Sequence, residues 1–543
     1  MAIRKLFSVL LGFALCGPLV WAQVNTATIS GTVHDASGAV LPGASVVVQN
    51  QDTGISRTVT TSTAGRYSAP GLGLGNYQVT AQQGGFQTQV RTGIALTVGR
   101  EAVVDFTLAV GAVTQTVEVT GEAPLVELTN ANLGGLVDDR TIRDLPLNGR
   151  SWDTLAYTIP GVIKYTTAGG GFNSGSGENK FSVAGSRSYS NSFLLDGTDV
   201  NDSSNGTPGG AAGTNLGVDA IKEFKIVATT FSAEYGRASG AVVSAVTRTG
   251  TNQLHGTAFE FLRNSKLDAR NFFDPEGLPP FRRNQFGGVL GGPIKKDKIF
   301  FFGGYEGLRE ARATTTLAVV PTVTAKQGIL PGRQPIPAAP VIKPFLQLWP
   351  DPNGLIYKDP VTGQDSYIGE FRLAPSRVVQ QDYFMGRVDH QLTAKTSIFG
   401  RYSFDADHLD DPSNRPLGNI TTLSHARRQY VTLQGNTVFT PTLLNAFRFA
   451  LNRSAQFEDD TPISEVAKSL SFVPGRAIGT LTIGEERGVP AIVAAGTGTN
   501  VPRFWVYNLW EWGDDLTKVA GRHTLKWGGS VKRIQNNNWE EAP

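Results

Sequence analysis

Apolar and polar side chains alternate with a period of two along much of this chain, which is typical of β-strands with one buried face. In residues 27–110 the alternating runs are separated by turn clusters such as Asp35-Ala-Ser-Gly38 and Asp52-Thr-Gly54. The clusters recur at the spacing of about 8 to 12 residues that is found in β-sandwiches. The pattern predicts a mainly β fold that begins with a small Ig-like or transthyretin-like β-sandwich over residues 24–110.

A second segment, residues 129–252, combines short strands with many Gly, Asp and Asn turn signals. Strands are expected at residues 193–195 and 241–246, and a short helix is expected at residues 138–144. The segment is therefore predicted to be a small α/β domain.

Beyond residue 252 the alternation becomes longer and cleaner, and hairpins turn at residues 393–395 and 440–442. The two faces of the first hairpin strand carry, respectively, Phe384, Gly386 and Val388, and Tyr383, Arg387 and Asp389. Such an apolar face is either the core of a soluble sandwich or the lipid-facing surface of a transmembrane barrel. Alternation alone leaves both interpretations open.

The composition favours strands and turns, with Gly 63, Phe 29, Tyr 13 and Trp 8 against only 17% charged residues. Lys+Arg 49 and Asp+Glu 46 are mixed along the chain, so the formal charge of +3 gives no electrostatic reason to expect nucleic acid as a partner. The single cysteine, Cys16, lies in the N-terminal leader, so no disulfide is expected in the mature chain.

Residues 1–22 have the layout of a secretory signal peptide. Arg4 and Lys5 precede an apolar run at residues 6–15, and Ala22 supplies the small residue expected before a cleavage site. The run is shorter than the roughly 20 apolar residues that a membrane-spanning helix needs. Export from the cytoplasm is therefore expected.

Two motifs in the second segment carry a family resemblance. One consists of Leu195, Asp196 and Gly197, and the other begins with Glu234, Tyr235, Gly236 and Arg237 and continues to Asn252. Both closely resemble the plug domain of TonB-dependent outer-membrane receptors, in particular the Oar-like branch. The resemblance implies that residues 129–252 form a plug and that residues 253–543 belong to a barrel around it. It therefore favours the lipid-facing interpretation of the later hairpins.

The strand count departs from this resemblance. Large outer-membrane transporters close with 22 strands, whereas only about nine strands are recognisable between residues 254 and 534. We therefore expect the first part of a transmembrane antiparallel β-barrel, incomplete by itself, from a fragment or a truncated gene product. Short turns such as residues 393–395 are expected in the periplasm, and residues 310–380 and 456–502 are expected to be extracellular loops.

The N-terminal segment resembles carboxypeptidase-regulatory-like domains in the runs Ile29-Ser-Gly-Thr-Val and Thr61-Ser-Thr-Ala-Gly-Arg-Tyr67. That resemblance implies a non-catalytic module, which is expected in the periplasm. The six histidines never occur at HExxH or similar spacing, and His34 has no second ligand nearby. We therefore expect no enzymatic activity, no catalytic residue, no metal site and no cofactor.

A linker at residues 111–128 contains a short extended run that has two interpretations. The run consists of Val117, Glu118, Val119, Thr120 and Gly121. It resembles the TonB box that family receptors present to TonB, and its β-propensity suits strand addition to the sheet edge of a partner. Alternatively, residues 113–119 form the last strand of the sandwich. The sequence leaves both interpretations open.

The resemblance implies a receptor in the outer membrane of a Gram-negative-type bacterium. It would take up a large or scarce extracellular solute of the siderophore, oligosaccharide or peptide class. The expected partners are TonB with its inner-membrane energising complex, outer-membrane lipid and the solute. The alternative function is an outer-membrane adhesin or structural surface-binding protein. Nothing in the sequence identifies the solute.

Overall fold

The structure is a computed structural model that describes residues 26–112, 116–120, 133–145, 147, 150–164, 181–203, 216–229, 234–236, 239–269, 278–359, 363–474, 476–483, 490–498, 500–521 and 523–541. Three bodies follow one another along the chain, and all three are built mainly from strands. The mainly β fold expected from the sequence is therefore confirmed.

The N-terminal body is a sandwich of two sheets, as predicted. Its strands are β1 Ala27–Asp35, β2 Ser45–Asn50, β3 Ser56–Thr60, β4 Arg66–Leu72, β5 Gly75–Gln82, β6 Thr88–Leu96, β7 Glu101–Val103, β8 Phe106–Leu108 and β9 Thr116–Thr120. One sheet has the order β4-β1-β7, with β8 also paired to β1, and the other has the order β3-β2-β5-β6-β9. Alternate apolar residues such as Ile29, Val79 and Phe106 fill the core between the sheets and are fully buried.

The last strand of the sandwich, β9, is an edge strand. Its backbone pairs in parallel with β6, from Thr116 opposite Thr88 to Thr120 opposite Thr92. Among the described strands only one edge of β9 is paired, because it ends the five-stranded sheet. Residues 117–120 of the TonB-box candidate therefore lie in the sandwich sheet, and Gly121 lies outside the described residues.

The middle body combines strands with short helices, as predicted. Its elements are β10 Leu133–Val137, α1 Asp139–Asp144, β11 Val162–Lys164, β12 Phe181–Val183, β13 Ser192–Leu195, β14 Thr198–Asp199, β15 Ile221–Thr229 and β16 Val242–Thr247, with 3-10 helices at Trp152–Thr158, Ser188–Ser190 and Val218–Ala220. Five strands form a mixed sheet in the order β10-β15-β16-β13-β14. The carboxylate of Asp138 caps α1 by accepting the backbone N–H of Thr141.

The C-terminal body contains the longest strands of the chain. Its elements are β17 His255–Asn264, β18 Phe281–Lys295, β19 Ile299–Ala313, β20 Thr316–Pro321, α2 Val323–Lys326, α3 Lys343–Leu346, β21 Ile356–Lys358, β22 Asp365–Leu373, β23 Ser376–Gln391, β24 Thr396–Asp411, β25 Ile420–Thr440, β26 Leu443–Pro462, α4 Glu465–Ser469, β27 Thr480–Leu481, β28 Ala495–Gly496, β29 Arg503–Ala520 and β30 His523–Glu540, with 3-10 helices at Ser265–Leu267 and Pro412–Asn414. In the described residues no helix is long and apolar enough to cross a membrane, a finding that concerns helices alone.

Nine of these strands form one antiparallel sheet, which we call the barrel wall. Its order is β17-β18-β19-β23-β24-β25-β26-β29-β30, so the expected number of strands is confirmed. Among the described strands β17 and β30 each have a single neighbour, and the sheet is therefore open.

The barrel wall has an apolar outer face and a polar inner face. On the outer face Phe384, Val388 and Leu433 are 45%, 46% and 50% exposed. On the inner face Tyr383 and Arg387 are buried against the middle body. A soluble sandwich would bury the apolar face instead, so this distribution is that of lipid-facing strands.

The two ends of the barrel wall differ in their connections. Short turns join β18 to β19, β23 to β24, β25 to β26 and β29 to β30, whereas the connections at the other end are longer. The sandwich lies at the short-turn end. There the backbone N–H of Asn252 donates to the carbonyl of Asp52 at 2.9 Å, and Gly71 contacts Leu444 near the start of β26.

The prediction that residues 310–380 and 456–502 are loops is wrong in part. The ends of both stretches belong to wall strands, and much of the remainder folds into a unit that we call the cap. The cap contains the three-stranded sheet β20-β22-β21 and an apolar core with Phe345, Trp349 and Ile478. The sequence pattern hides this unit because its strands are short and their buried faces pack against a distant connection.

Candidate functional site at the plug and the barrel wall

The first plug motif forms a tight hairpin between β13 and β14. Leu195 pairs with Thr198, so Asp196 and Gly197 are the two residues of the turn. Their φ values of 48° and 77° are both positive, as a type I′ turn requires. An Asp-Gly pair suits this turn because Asp tolerates the left-handed region and Gly adopts it without a steric cost. The turn places the Asp196 carboxylate at the inner face of the barrel wall.

Asp196 is completely buried and its carboxylate has four close polar partners. Within the plug, it accepts hydrogen bonds from the backbone N–H of Thr247 at 2.9 Å and from the Thr247 hydroxyl at 2.8 Å. From the wall, Nε of Arg401 lies 2.7 Å from Oδ2, and Nη1 of Arg387 lies 3.4 Å from Oδ1. We call these four residues the Asp196 cluster.

Arg401 is the deepest member of the Asp196 cluster. Its side chain is fully buried, and its Nη atoms donate to the hydroxyls of Ser403 and Thr432 and to the carbonyl of Leu195, at 2.8, 2.6 and 3.1 Å. Nε faces Asp196 closely without the alignment of a hydrogen bond, so this contact is mainly ionic. A buried guanidinium needs such partners because burial of an unpaired charge costs several kcal/mol.

Arg387 connects the Asp196 cluster to a second carboxylate on the wall. Its Nε and Nη2 donate to the two carboxylate oxygens of Asp389 at 2.9 and 2.8 Å, and Nη1 donates to the Thr247 hydroxyl at 3.0 Å. The guanidinium also stacks over the Phe399 ring at 4.1 Å. Two arginines of the wall therefore share the Asp196 carboxylate of the plug, and Arg387 also binds Asp389 within the wall.

A second contact lies beside the hairpin. The hydroxyls of Thr198 and Thr432 are 2.5 Å apart, and Nδ2 of Asn452 donates to the carbonyls of Asp199 and Asn201 at 2.9 and 2.8 Å. Nζ of Lys532 lies 3.4 Å from Asp199. Within the plug, the backbone N–H of Asn201 donates to the Asp199 carboxylate at 3.2 Å.

A third contact joins the plug to β19. Arg150 Nη2 lies 2.5 Å from Asp219 within the plug, and its Nε lies 3.2 Å from Glu306 on the wall. Glu306 also accepts the backbone N–H of Gly217 at 2.8 Å. Gly217 has a φ of 85°, and a Cβ there would overlap the Tyr383 ring. Glycine is therefore required at this position for conformation and for space.

The sandwich and the plug also share a buried contact. Glu223 on β15 accepts the backbone N–H of Val98, which follows β6. Burial raises the pKa of Glu223 to about 7, although the Val98 N–H and Lys222 oppose the shift and Asp138 and Asp139 add to it. This carboxyl group therefore changes its charge near neutral pH.

The start of the second plug motif lies away from the Asp196 cluster, whereas Thr247, near the end of that motif, is a member of the cluster. Glu234 Oε2 is 4.0 Å from Nζ of Lys526 on β30, and Gly236 is exposed. Burial raises the pKa of Tyr235, and Arg237 lies outside the described residues. The structure thus brings Leu195, Asp196 and Gly197 to the centre of the contact but places Glu234 and Tyr235 near its edge.

The wall partners of the plug were only partly visible in the sequence. Arg387 was recognisable as a member of a polar strand face, but the carboxylate that it shares with Arg401 lies about 200 residues earlier in the chain. Nothing in the sequence around Arg150 marks Glu306 as its partner. Within the described ranges, no three His, Cys, Asp or Glu side chains come together as metal ligands could.

Comparison with known proteins agrees with this arrangement. Residues 28–109 match the carboxypeptidase regulatory-like domain, and residues 136–243 match the TonB-dependent receptor plug domain. Residues 246–543, more than half of the chain, match the outer membrane β-barrel domain. The chain belongs to the TonB-dependent receptor family. The resemblance inferred from the plug motifs is therefore confirmed, and the outer membrane is the location of this TonB-dependent receptor.

This receptor aligns with only part of the length of each relative. It is 30% identical over 308 residues to the TonB-dependent transporter Oar of Myxococcus xanthus. This alignment covers 54% of this chain and 27% of that protein. The outer membrane transporter YddB of Escherichia coli has a TM-score of 0.46 and 12% identity, over 75% of this chain and 49% of that chain. The siderophore receptor PirA of Acinetobacter baumannii has a TM-score of 0.37 and 13% identity, over 76% of this chain and 55% of that chain.

The chain therefore spans about a quarter of the curated relative and about half of each solved structure. The family consists of transporters, which are not enzymes. Neither the matched domains nor the curated relative supports the adhesin alternative.

Proposed function

We propose that this TonB-dependent receptor carries out energised uptake of a large or scarce solute of the siderophore, oligosaccharide or peptide class. In this proposal the sandwich and the short turns lie in the periplasm, and the cap lies outside the cell. TonB, driven by its inner-membrane energising complex, pulls on β9, the sandwich strand that precedes the plug. The chain itself performs no bond chemistry.

The observation that carries the proposal is the polar contact between plug and wall. The Asp196 cluster, the Asn452 hydrogen bonds and the Arg150 contacts are all ionic or hydrogen-bonded. Water can replace such partners when it enters, whereas an apolar core would lose its stabilisation outright. A plug held in this way is firmly placed at rest and can still shift when it is pulled.

The coupling step is assigned to β9. Because one edge of this strand is unpaired among the described strands, a strand of TonB can add to it by backbone hydrogen bonding. Residues 117–120 can then act as a TonB box while they remain in the sandwich sheet, so the two interpretations of the sequence are compatible.

The test is uptake by cells that express the receptor with Val119→Pro. Proline lacks the N–H that strand pairing needs, so energised uptake should be lost. Thr58→Pro in β3, the opposite edge of the same sheet, controls for general damage to the sandwich and should leave uptake largely intact. Uptake that survives Val119→Pro would remove the coupling step from the proposal.

The solute is best found by growth of a deletion strain on a panel of iron complexes, oligosaccharides and peptides. Growth that depends on both the receptor and TonB would name the class. If every solute supports equal growth with and without the receptor, uptake of these three classes is refuted.

A further inference from the structure

The outer face of the barrel wall carries a basic patch just beyond its apolar surface. Going along the strands from the short-turn end, exposed apolar side chains such as Leu433 and Tyr402 give way to His425 and Arg427 on β25 and Arg453 on β26. All three basic residues are exposed. The patch therefore lies at the end of the wall away from the sandwich, where an apolar belt meets the polar layer of a membrane.

Strand register places the two arginines close together. Arg427 pairs with Ala455, and Arg453 lies two residues from Ala455 on the same face. Such diagonal neighbours are about 7–8 Å apart, so two guanidinium groups at these positions can converge on one anion. Arg427 is flanked by Ala406 on its other side, and the two alanines leave a shallow recess around its side chain.

The charges of this patch are not neutralised by the described residues around it. Arg427 has no ion pair there, and Arg453 donates only to the amide oxygen of Asn508 at 2.7 Å. The outward carboxylate opposite Ala406 is Asp382, which is already held by Arg309 at 2.8 Å. An anion is therefore the missing complement of the two arginines.

A histidine pair forms the upper rim of the recess. His408 lies opposite His425, and their Nδ1 atoms are 2.9 Å apart. This distance corresponds to a hydrogen bond in which one ring donates and the other accepts, and it holds both rings beside the recess.

We propose that Arg427 and Arg453, with His408 and His425 above them, bind the phosphate group of a lipid headgroup in the leaflet away from the sandwich. Paired guanidinium groups recognise phosphate through several charge-assisted hydrogen bonds, and the apolar belt below accommodates the acyl chains. The inference rests on the proposed function, because that function places this end of the wall in the outer leaflet.

The test uses the full-length protein in detergent micelles, titrated with bisphosphorylated lipid A and with the same lipid after dephosphorylation. Arg427→Gln with Arg453→Gln should weaken binding of the phosphorylated lipid by about 25-fold, which is the effect expected from two arginines near an anionic surface. Lys298→Gln with Lys395→Gln removes two charges at the short-turn end and should leave binding unchanged. Arg427→Lys with Arg453→Lys should give an intermediate affinity, because charge is kept and the planar fork is lost.

Three results would overturn the proposal. The first is that the dephosphorylated lipid binds as tightly as the phosphorylated lipid. The second is that Lys298→Gln with Lys395→Gln weakens binding as much as the arginine-to-glutamine variant does. The third is that millimolar inorganic phosphate binds in an arginine-dependent way and the protein shows no preference for the lipid. If Arg427→Gln with Arg453→Gln loses the circular dichroism signal of its β-sheets, the lipid affinity of Arg427→Lys with Arg453→Lys decides the outcome. A receptor that transports its solute but shows no phosphate-dependent lipid binding would refute this inference and leave the proposed function intact.

Discussion

Oδ2 of Asp196 in the plug lies 2.7 Å from Nε of Arg401 in the barrel wall, and neither side chain is accessible to solvent. The two residues are 205 positions apart in the chain and belong to different bodies. Their pairing holds the Asp-Gly hairpin against β24, which is where the plug meets the middle of the wall. The position of the plug therefore depends on the buried Asp196 carboxylate, which contacts Thr247 within the plug and two arginines of the wall.

Replacement of Asp196 by Asn should destabilise the plug strongly. Asn keeps the shape but leaves Arg401 and Arg387 without their shared carboxylate, and loss of one partner from a buried ion pair costs about 3–5 kcal/mol. The free energy of unfolding should fall by that amount in urea titrations of the protein in micelles. Asp268→Asn removes the exposed pair with Arg263 and should cost about 0.2–1 kcal/mol. Similar losses in both variants would contradict the central role of Asp196.

Gly217→Ala tests the close approach of the plug to β23. The new Cβ would overlap the Tyr383 ring, and the φ of 85° adds strain. Gly161→Ala is a matched control, because Gly161 has a φ of 84° and open space around it. The control should cost about 1 kcal/mol, and the Gly217 variant about 1–3 kcal/mol more. Equal thermal stabilities of the two variants would show that the Tyr383 contact is unimportant.

The contact between Glu223 and Val98 should make stability depend on pH. The pKa of Glu223 is raised from 4.5 to about 7 in the folded protein, so the folded state binds the proton more tightly than the unfolded state. Its stabilising contribution is complete below pH 4.5 and is lost as the pH rises to about 7. The slope is at most about 1.4 kcal/mol per pH unit.

Thermal melts between pH 4 and 8 would measure this slope. Glu223→Gln cannot titrate, and its profile should lack the decrease that the wild-type protein shows over the same interval. A wild-type profile that coincides with that of the variant would mean that the carboxyl group does not couple the sandwich to the plug.

Hydrogen exchange should reveal which edge of β9 is open. Successive backbone N–H groups of a strand point to opposite sides, so alternate amides in Thr116–Thr120 should be protected by pairing with β6 and the others should exchange rapidly. Addition of the C-terminal domain of TonB should protect the rapidly exchanging set. If TonB instead releases the amides paired with β6, strand exchange rather than strand addition is the mode of binding.

The sequence predicted the fold well because period-two alternation reports directly on strand faces. The pattern alone places Phe384 and Arg387 on opposite faces of the strand, and the plug resemblance indicates that the face of Phe384 is the outer one. The Asp-Gly turn at residues 196–197 was also visible, because few residue pairs adopt two positive φ values. These features depend on neighbours in the sequence.

The contacts of the candidate site could not be predicted in the same way. Arg401 lies on the polar face of β24, but its partner Asp196 is 205 residues earlier in the chain and belongs to the plug rather than the wall. The ion pair between Glu306 and Arg150 could not be predicted either, because it depends on how the plug is placed inside the wall. The cap was missed because its short strands acquire a buried face only when two connections meet.

The shared core of the cap links segments that are distant in the chain. The rings of Phe345 and Phe472 stack at 4.4 Å, and Nε1 of Trp349 donates to the carbonyl of Val493 at 2.7 Å. Neither segment can be exchanged for that of another receptor without exposing apolar surface on the one that remains. Substitutions in these two segments are therefore expected to covary among descendants of this gene.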